Sequence, residues 1–156
     1  GFRRGILKGP VAGYPVVGLH INLDDGSYHE VDSSEMAFKT CARTAMRETF
    51  PRTRPVLLEP VMKIEIECPT QFQGSVVGNL ASRRALVHAT EILGPITRIE
   101  GEVPLSETFG YSTALRSLTQ GQGTFTMEFA RYKRLPSSLA EEVIADRKEA
   151  ALAGAV

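Results

Sequence analysis

The chain has 156 residues, 42% of them hydrophobic and 23% charged, a mix that suits one ordinary soluble domain or two small ones and excludes a large enzyme. Lysine plus arginine and aspartate plus glutamate each total 18, so no net field draws the chain to DNA or an anionic membrane, although a local basic patch is compatible with that balance. No apolar run reaches the roughly 18 residues of a membrane span, and Gly1-Phe2-Arg3-Arg4 lacks the apolar stretch of a signal peptide.

In chain order, Phe2, Ile6 and Leu7 have helical spacing and Gly9-Pro10 ends their segment. No capping residue precedes them, so the chain is expected to start inside a helix. From Val16 to Leu23 the alternation places Val17, Leu19, Ile21 and Leu23 on one face of a strand, with His20 and Asn22 on the other. A turn is expected at Asp24-Asp25-Gly26-Ser27, Gly26 supplying a positive φ. Asp32-Ser33-Ser34-Glu35 is a D-x-x-E capping box, and the helix it opens has an expected buried stripe of Phe38, Cys41, Ala42, Ala45 and Thr49. Pro51 stops that helix, and Val56-Leu57-Leu58 reads as a short strand.

At Glu59-Pro60 the pattern changes. Met62, Ile64, Ile66 and Cys68 alternate with Lys63, Glu65 and Glu67 in a half-buried strand, and a helix follows with the stripe Phe72, Val76 and Leu80. Leu86 to Ile92 is a second strand. Ile99, Gly101, Val103 and Leu105 alternate with Arg98, Glu100 and Glu102 in a third. Tyr111, Leu115 and Leu118 mark a second helix, closed by Gly121-Gln122-Gly123; Phe125, Met127 and Phe129 alternate with Thr124, Thr126 and Glu128 in a fourth strand. The order βαββαβ over about residues 61–135 predicts an α+β, ferredoxin-like sandwich with two helices on one face of the sheet. Residues 1–60 read as an incomplete α/β unit; without partner strands, its 17–23 face must stay exposed or be covered by a second chain. After Pro136, Ser137-Ser138 can cap a last helix from Leu139 to Leu152, giving a marginal or docked helical tail over 136–156.

RNA-recognition motifs share the βαββαβ topology and stack bases on aromatics of the open sheet face. Here Phe125 and Phe129 share the phase of Met127, toward the helices. The open face carries Glu65, Glu67, Glu100, Glu102 and Glu128 against Lys63 and Arg98, which repels phosphates. RNA contact would use helix ends and loops instead, where Arg83-Arg84 and Arg131-Tyr132-Lys133-Arg134 lie; a solvated rim is the competing reading. No G-x-x-x-x-G-K-[ST] segment cradles a phosphate and no G-x-S-x-G elbow presents a serine nucleophile. A ladder of exposed glutamates lacks the pocket that a catalytic pair of carboxyls requires. Cys41 and Cys68, with no CxxC and no nearby His pair, make neither a zinc site nor a disulfide framework and suit a reducing cytoplasm. His20 and His88 lie on expected strands and read as structural; His29, beside Tyr28 in a loop before a capped helix, is the candidate for a functional contact, with solvated surface as the competing reading.

The run Asp25-Gly26-Ser27-Tyr28-His29-Glu30-Val31-Asp32-Ser33-Ser34-Glu35-Met36-Ala37-Phe38 resembles the signature near the end of the fourth domain of bacterial elongation factor G. Pro55-Val56-Leu57-Leu58-Glu59-Pro60-Val61-Met62 resembles that family's junction into its fifth domain. Gly74-Ser75-Val76-Val77-Gly78-Asn79-Leu80 with Arg83-Arg84, Phe109-Gly110-Tyr111-Ser112-Thr113 with Leu115-Arg116-Ser117, and Thr119-Gln120-Gly121-Gln122-Gly123 follow in family order. Ala85-Leu86-Val87-His88 departs from the pattern, being more apolar than the family's glycine-bearing segment, and the tail matches loosely.

The resemblance implies the C-terminal portion of a translational GTPase that drives tRNA and mRNA through the ribosome. It implies a fourth-domain remnant of the ribosomal protein S5 domain 2-like fold over 1–60 and a fifth domain over 61–135. Ser27, Tyr28, His29 and Glu30 would form a tip loop beside the tRNA–mRNA duplex in the decoding region, and Arg83, Arg84 and Arg116 would touch rRNA near the GTPase-associated centre. GTP and magnesium would belong to a nucleotide-binding domain outside these residues, so neither a cofactor nor catalysis is expected of the residues here; the remaining N-terminal domains would be partners in the same chain. Neither a membrane nor DNA is an expected partner. The implied location is the bacterial cytoplasm, with an organellar relative left open by Gln71-Phe72-Gln73-Gly74 and Tyr111-Ser112-Thr113. Two other readings stand beside this one: a ferredoxin-like small-molecule regulatory module, and a ribosome-recycling or ribosome-protection paralogue of the same GTPase family.

Overall fold

A computed structural model of the chain describes residues 1–153; the end of the expected tail, 154–156, lies outside the described residues. The chain forms two compact units, one of Gly1–Leu57 with the segment from Leu135 onward, the other of Leu58–Arg134.

In the first unit α1 (Phe2–Leu7) packs on α2 (Glu35–Thr49) through glycines. Gly1 lies against Ala42, and a Cβ added at Gly5 would come within 3.2 Å of Met46 Cγ. The covered side of α2 is therefore centred on Met46, with Phe50 just beyond the helix and half-buried Ala42 and Ala45 beside it. Phe38, Cys41 and Thr49, expected in the buried stripe, are exposed. The helix also starts later than its capping box suggests. Ser34, in extended conformation, is the N-cap, and its Oγ accepts from Ala37 N at 3.1 Å, in place of Asp32.

Val16–Leu23 keeps its apolar alternation but pairs with no described strand, so the expected strand is extended chain: a strand exists through a neighbour's N–H and C=O groups. Val17, Ile21 and Leu23 consequently face solvent, Leu23 with 80% of its surface. Gly26 does not take a positive φ. Its N–H donates to Asp25 Oδ1 at 2.7 Å, and the chain turns later, over residues 30–32.

The second unit runs β1 (Leu58–Pro69), α3 (Gln73–Ser82), β2 (Leu86–Leu93), β3 (Ile96–Pro104), α4 (Tyr111–Leu118), β4 (Thr124–Arg134). Its strands form one antiparallel sheet in the order β2-β3-β1-β4, the ferredoxin-like sandwich. Ile66 pairs with Ile99 and Cys68 with Thr97 in the central ladder. Ile64, Ile66, Cys68, Ile99 and Val103 form one buried cluster with Val76 and Leu80 of α3 and Tyr111 and Leu115 of α4. Lys63, Glu65, Glu67, Arg98, Glu100 and Glu102 take the opposite face, as their alternation predicts. Gly101 sits where β2 bulges toward β3; a Cβ there would meet Leu86 O at 2.6 Å.

Two expectations shift. β1 runs through Pro60, so no separate strand exists at 56–58; β3 pairs only from Val61 onward, and Pro60 needs no N–H on that side. On β4, Phe125 packs on the core, but Met127 and Phe129 are exposed because the helical cover is centred on β1 and β3 and leaves this edge strand bare. Beyond the sheet, α5 (Ser137–Leu152) has Pro136 at its N-cap position, so Ser137 and Ser138 lie in its first turn and cap nothing. The helix buries no residue; the Arg147 guanidinium sits 4.4 Å over the Tyr14 ring, a contact worth about 0.5–1 kcal/mol at an exposed site.

Candidate functional site

The loop Ser27, Tyr28, His29 and Glu30 is exposed throughout. Its backbone is nevertheless fixed. His29 N donates to Ser33 Oγ at 2.8 Å, Ser33 N donates to His29 O at 2.9 Å, and Ser34 caps α2 immediately after. Both backbone groups of His29 are therefore bound, while no described side chain pairs with its imidazole. Tyr28 beside it has 68% of its surface in solvent. The neighbouring charges, Asp24, Asp25, Glu30 and Asp32, are all acidic, so this loop offers hydrogen bonds and stacking rather than charge attraction. Ser33 is the residue that sequence reasoning misses: the pattern places it inside the capping box, whereas its hydroxyl and N–H close a five-residue turn back onto the backbone of His29.

The three arginines separate into different roles. Arg84 occupies the left-handed region (φ 56°) just past α3, where Ala85 N donates to Leu80 O and Arg84 N to Ala81 O, the paired bonds of a Schellman motif usually closed by glycine. Its guanidinium donates from Nη1 and Nη2 to Glu59 Oε1 and Oε2 at 3.0 and 2.9 Å, and from Nε to Glu107 Oε1 at 2.9 Å. The Glu59 carboxylate first, then Glu107, raises the Arg84 pKa above its ordinary value despite partial burial. Arg83 donates to Asn79 Oδ1 at 3.1 Å and to the backbone carbonyl of Glu107, and lies 5.3 Å over the Tyr111 ring. Arg116, in the last turn of α4, is exposed and pairs with no described carboxylate. Glu59 and Glu107 stand 25 and 23 residues from Arg84, so the clasp has no local sequence signature.

The open sheet face is also internally paired. Arg98 reaches Glu65 at 3.3 Å and Glu67 at 2.9 Å, and Arg131 reaches Glu102 at 2.7 Å. The hydrogen bond from Arg131 holds the Glu102 carboxyl below the usual range. Burial raises the pKa of Cys68, which keeps it an unreactive core thiol, and burial pushes Tyr111 up to about 12. Among the described residues no group of three or more His, Cys, Asp or Glu side chains is placed to hold a metal ion, and no helix is long and apolar enough to cross a membrane.

Two family models match the chain: elongation factor G, domain IV, over residues 1–54, and elongation factor G C-terminus over residues 56–143. The elongation factor G of Rhodopirellula baltica is 57% identical over 155 residues, covering 99% of this chain and 22% of the relative. That of Thermotoga neapolitana is 50% identical over 144 residues, covering 92% of this chain and 21% of the relative. A crystal structure of a Thermus thermophilus protein superposes with a TM-score of 0.85 at 36% identity, covering 95% of this chain and 22% of that one. The chain thus spans about a fifth of the length of the proteins it matches.

Proposed function

The chain belongs to the elongation factor G family, and from that premise we propose that it is the part of such a factor that engages the ribosome during translocation of tRNA and mRNA. The tip loop is its contact with the tRNA–mRNA duplex in the decoding region. The observation that carries this reading is the division of labour at His29: its N–H and C=O are tied to Ser33, and its imidazole and the Tyr28 ring are left for an external partner. An imidazole there can bond a sugar or a phosphate in either protonation state. Contact of the second unit with rRNA is assigned to Arg116 ahead of Arg83 and Arg84, whose donors serve internal acceptors. GTP hydrolysis and its magnesium ion belong to other domains of such a factor, and its place of work is the bacterial cytoplasm.

Sedimentation with purified 70S ribosomes tests this directly. The chain should pellet with ribosomes at low salt and less at moderate salt, as phosphate contacts require. A chain that stays in the supernatant at low salt contradicts the reading, and tight GTP binding in equilibrium dialysis contradicts the assignment of hydrolysis elsewhere.

A further inference from the structure

Asp25-Gly26 is the one position in the sequence where an aspartate or asparagine is followed by glycine. The dipeptide is exposed, on a segment that pairs with no described strand. Gly26 N donates to Asp25 Oδ1 at 2.7 Å, so a backbone nitrogen stands against the side-chain carboxyl of the residue before it. Gly26 carries no Cβ, which leaves its peptide free to rotate, and a Cβ built there would meet no heavy atom within 4 Å. Nucleophile, electrophile and the room for ring closure coincide. The other aspartates are held differently. Ser33 N, which follows Asp32, is committed to His29 O at 2.9 Å. Arg147 N, which follows Asp146, lies inside α5, where the helical ladder takes its N–H. Asp24 accepts from the Asn22 side-chain amide and is followed by a residue with a Cβ.

We propose that Asp25 is a modification site, at which the folded chain converts aspartate to isoaspartate through a cyclic succinimide. Gly26 N attacks Asp25 Cγ in its protonated carboxyl form. The N–Cγ bond forms, the Cγ–OH bond breaks, and the hydroxyl leaves as water with the Gly26 amide proton. Water then opens the ring at one of its two carbonyls. Opening at Cγ restores aspartate; opening at the Asp25 backbone carbonyl leaves the main chain running through Cβ and Cγ, with a free α-carboxylate. The water lost is the water regained, so the mass is unchanged and no oxidant, reductant or other reactant enters. Holding the two groups together supplies the proximity that the closure needs. The isomer adds a methylene to the main chain ahead of Tyr28 and His29. The turn between His29 and Ser33 closes on itself downstream, so the added length re-aims the loop without opening that turn. The chemistry is intrinsic to the chain and independent of what the loop binds.

Incubating the folded chain for several weeks at physiological temperature and neutral pH in heavy-oxygen water tests the proposal. Peptide mapping with electron-transfer fragmentation, which gives ions diagnostic of isoaspartate, reads the product residue by residue. Methyl transfer from S-adenosylmethionine by a protein L-isoaspartyl methyltransferase reads the total. Isoaspartate should accumulate at residue 25 and carry the heavy oxygen, and methyl acceptance should rise in step. Gly26 takes no positive φ, so Gly26→Ala fits the backbone; its Cβ should slow the conversion by at least ~10-fold, a barrier about 1.4 kcal/mol higher. Asp25→Glu, which keeps the charge and lengthens the side chain, should abolish the signal at this residue. The proposal is overturned by any of three results: no isoaspartate at residue 25, isoaspartate spread evenly over Asp24, Asp25 and Asp32, or the parental rate in folded Gly26→Ala.

Discussion

The central strands β1 and β3 of the second unit bury the apolar half of their alternation, and residues 16–23 of the first unit leave most of theirs in solvent. Ile64 and Ile66 have ladder neighbours on both sides, Cys68 has one on β3, and all three lie under two helices; Val17, Ile21 and Leu23 have the same period and no strand partner among the described residues. The same period-2 code therefore gives a strand in one region and extended chain in the other, because hydrogen-bond partners, not side-chain pattern, complete a sheet. Fixation in the first unit comes from local means, two serines and the glycine-lined contact of α1 with α2.

Core truncation should break the comparison hardest. Ile66→Ala or Leu80→Ala should lower the stability of the second unit by about 2–5 kcal/mol in urea unfolding, whereas Val17→Ala or Leu23→Ala should change the first by less than about 0.5 kcal/mol. Equal losses would mean that the 17–23 face is covered in solution. The Arg84 clasp comes next. Glu59 keeps only 10% of its side chain exposed, so Arg84→Ala strands a carboxylate and should cost about 1–3 kcal/mol. Arg84→Lys should not restore it, since an ammonium cannot bond both Glu59 oxygens in the fork geometry. An Arg84→Gly variant as stable as the parent would show that the left-handed φ, not the ion pair, dominates there.

Tyr111 gives a smaller and signed effect. Its hydroxyl is buried without a partner among the described residues, so Tyr111→Phe should raise stability at neutral pH by about 1 kcal/mol. Burial lifts its pKa from 10.0 to about 12. Above pH 10 the unfolded chain ionises while the folded one stays neutral, so stability present below pH 10 should fall between pH 10 and about 12. The Phe variant should lack that part of the alkaline loss; an identical profile would place the hydroxyl in contact with water. Smallest of all, Arg116→Glu should leave stability within about 0.5 kcal/mol of the parent and flatten the salt dependence of ribosome sedimentation by about one phosphate contact. An unchanged slope would remove Arg116 from the interface.

The two helices and four strands of the second unit were legible from their apolar periodicity, clearest in the central strands, where one wet and one dry face print an alternation such as Lys63, Glu65, Glu67 against Ile64, Ile66, Cys68. Exposure of Met127 and Phe129 was not legible: phase tells which face a residue takes, and only the extent of the helices tells whether that face is covered. Arg83 and Arg84 looked like a basic pair for RNA because their acceptors come from β1 and from the turn after β3, remote in sequence. In the tip loop the exposed residues were readable but the mechanics were not. Gly26 suggested a glycine turn, and the bend instead follows from Ser33 closing on His29.

On the proposed reading His29 serves a partner and not the fold. A complete elongation factor G in which this chain replaces the matching segment, carrying His29→Ala, tests it most directly. Single-round translocation should slow by at least ~10-fold, a transition-state loss of about 1.4 kcal/mol, with ribosome-stimulated GTP hydrolysis unchanged and unfolding stability within about 0.5 kcal/mol of the parent. Translocation at the parental rate, or a stability loss beyond about 1–2 kcal/mol, would contradict the account.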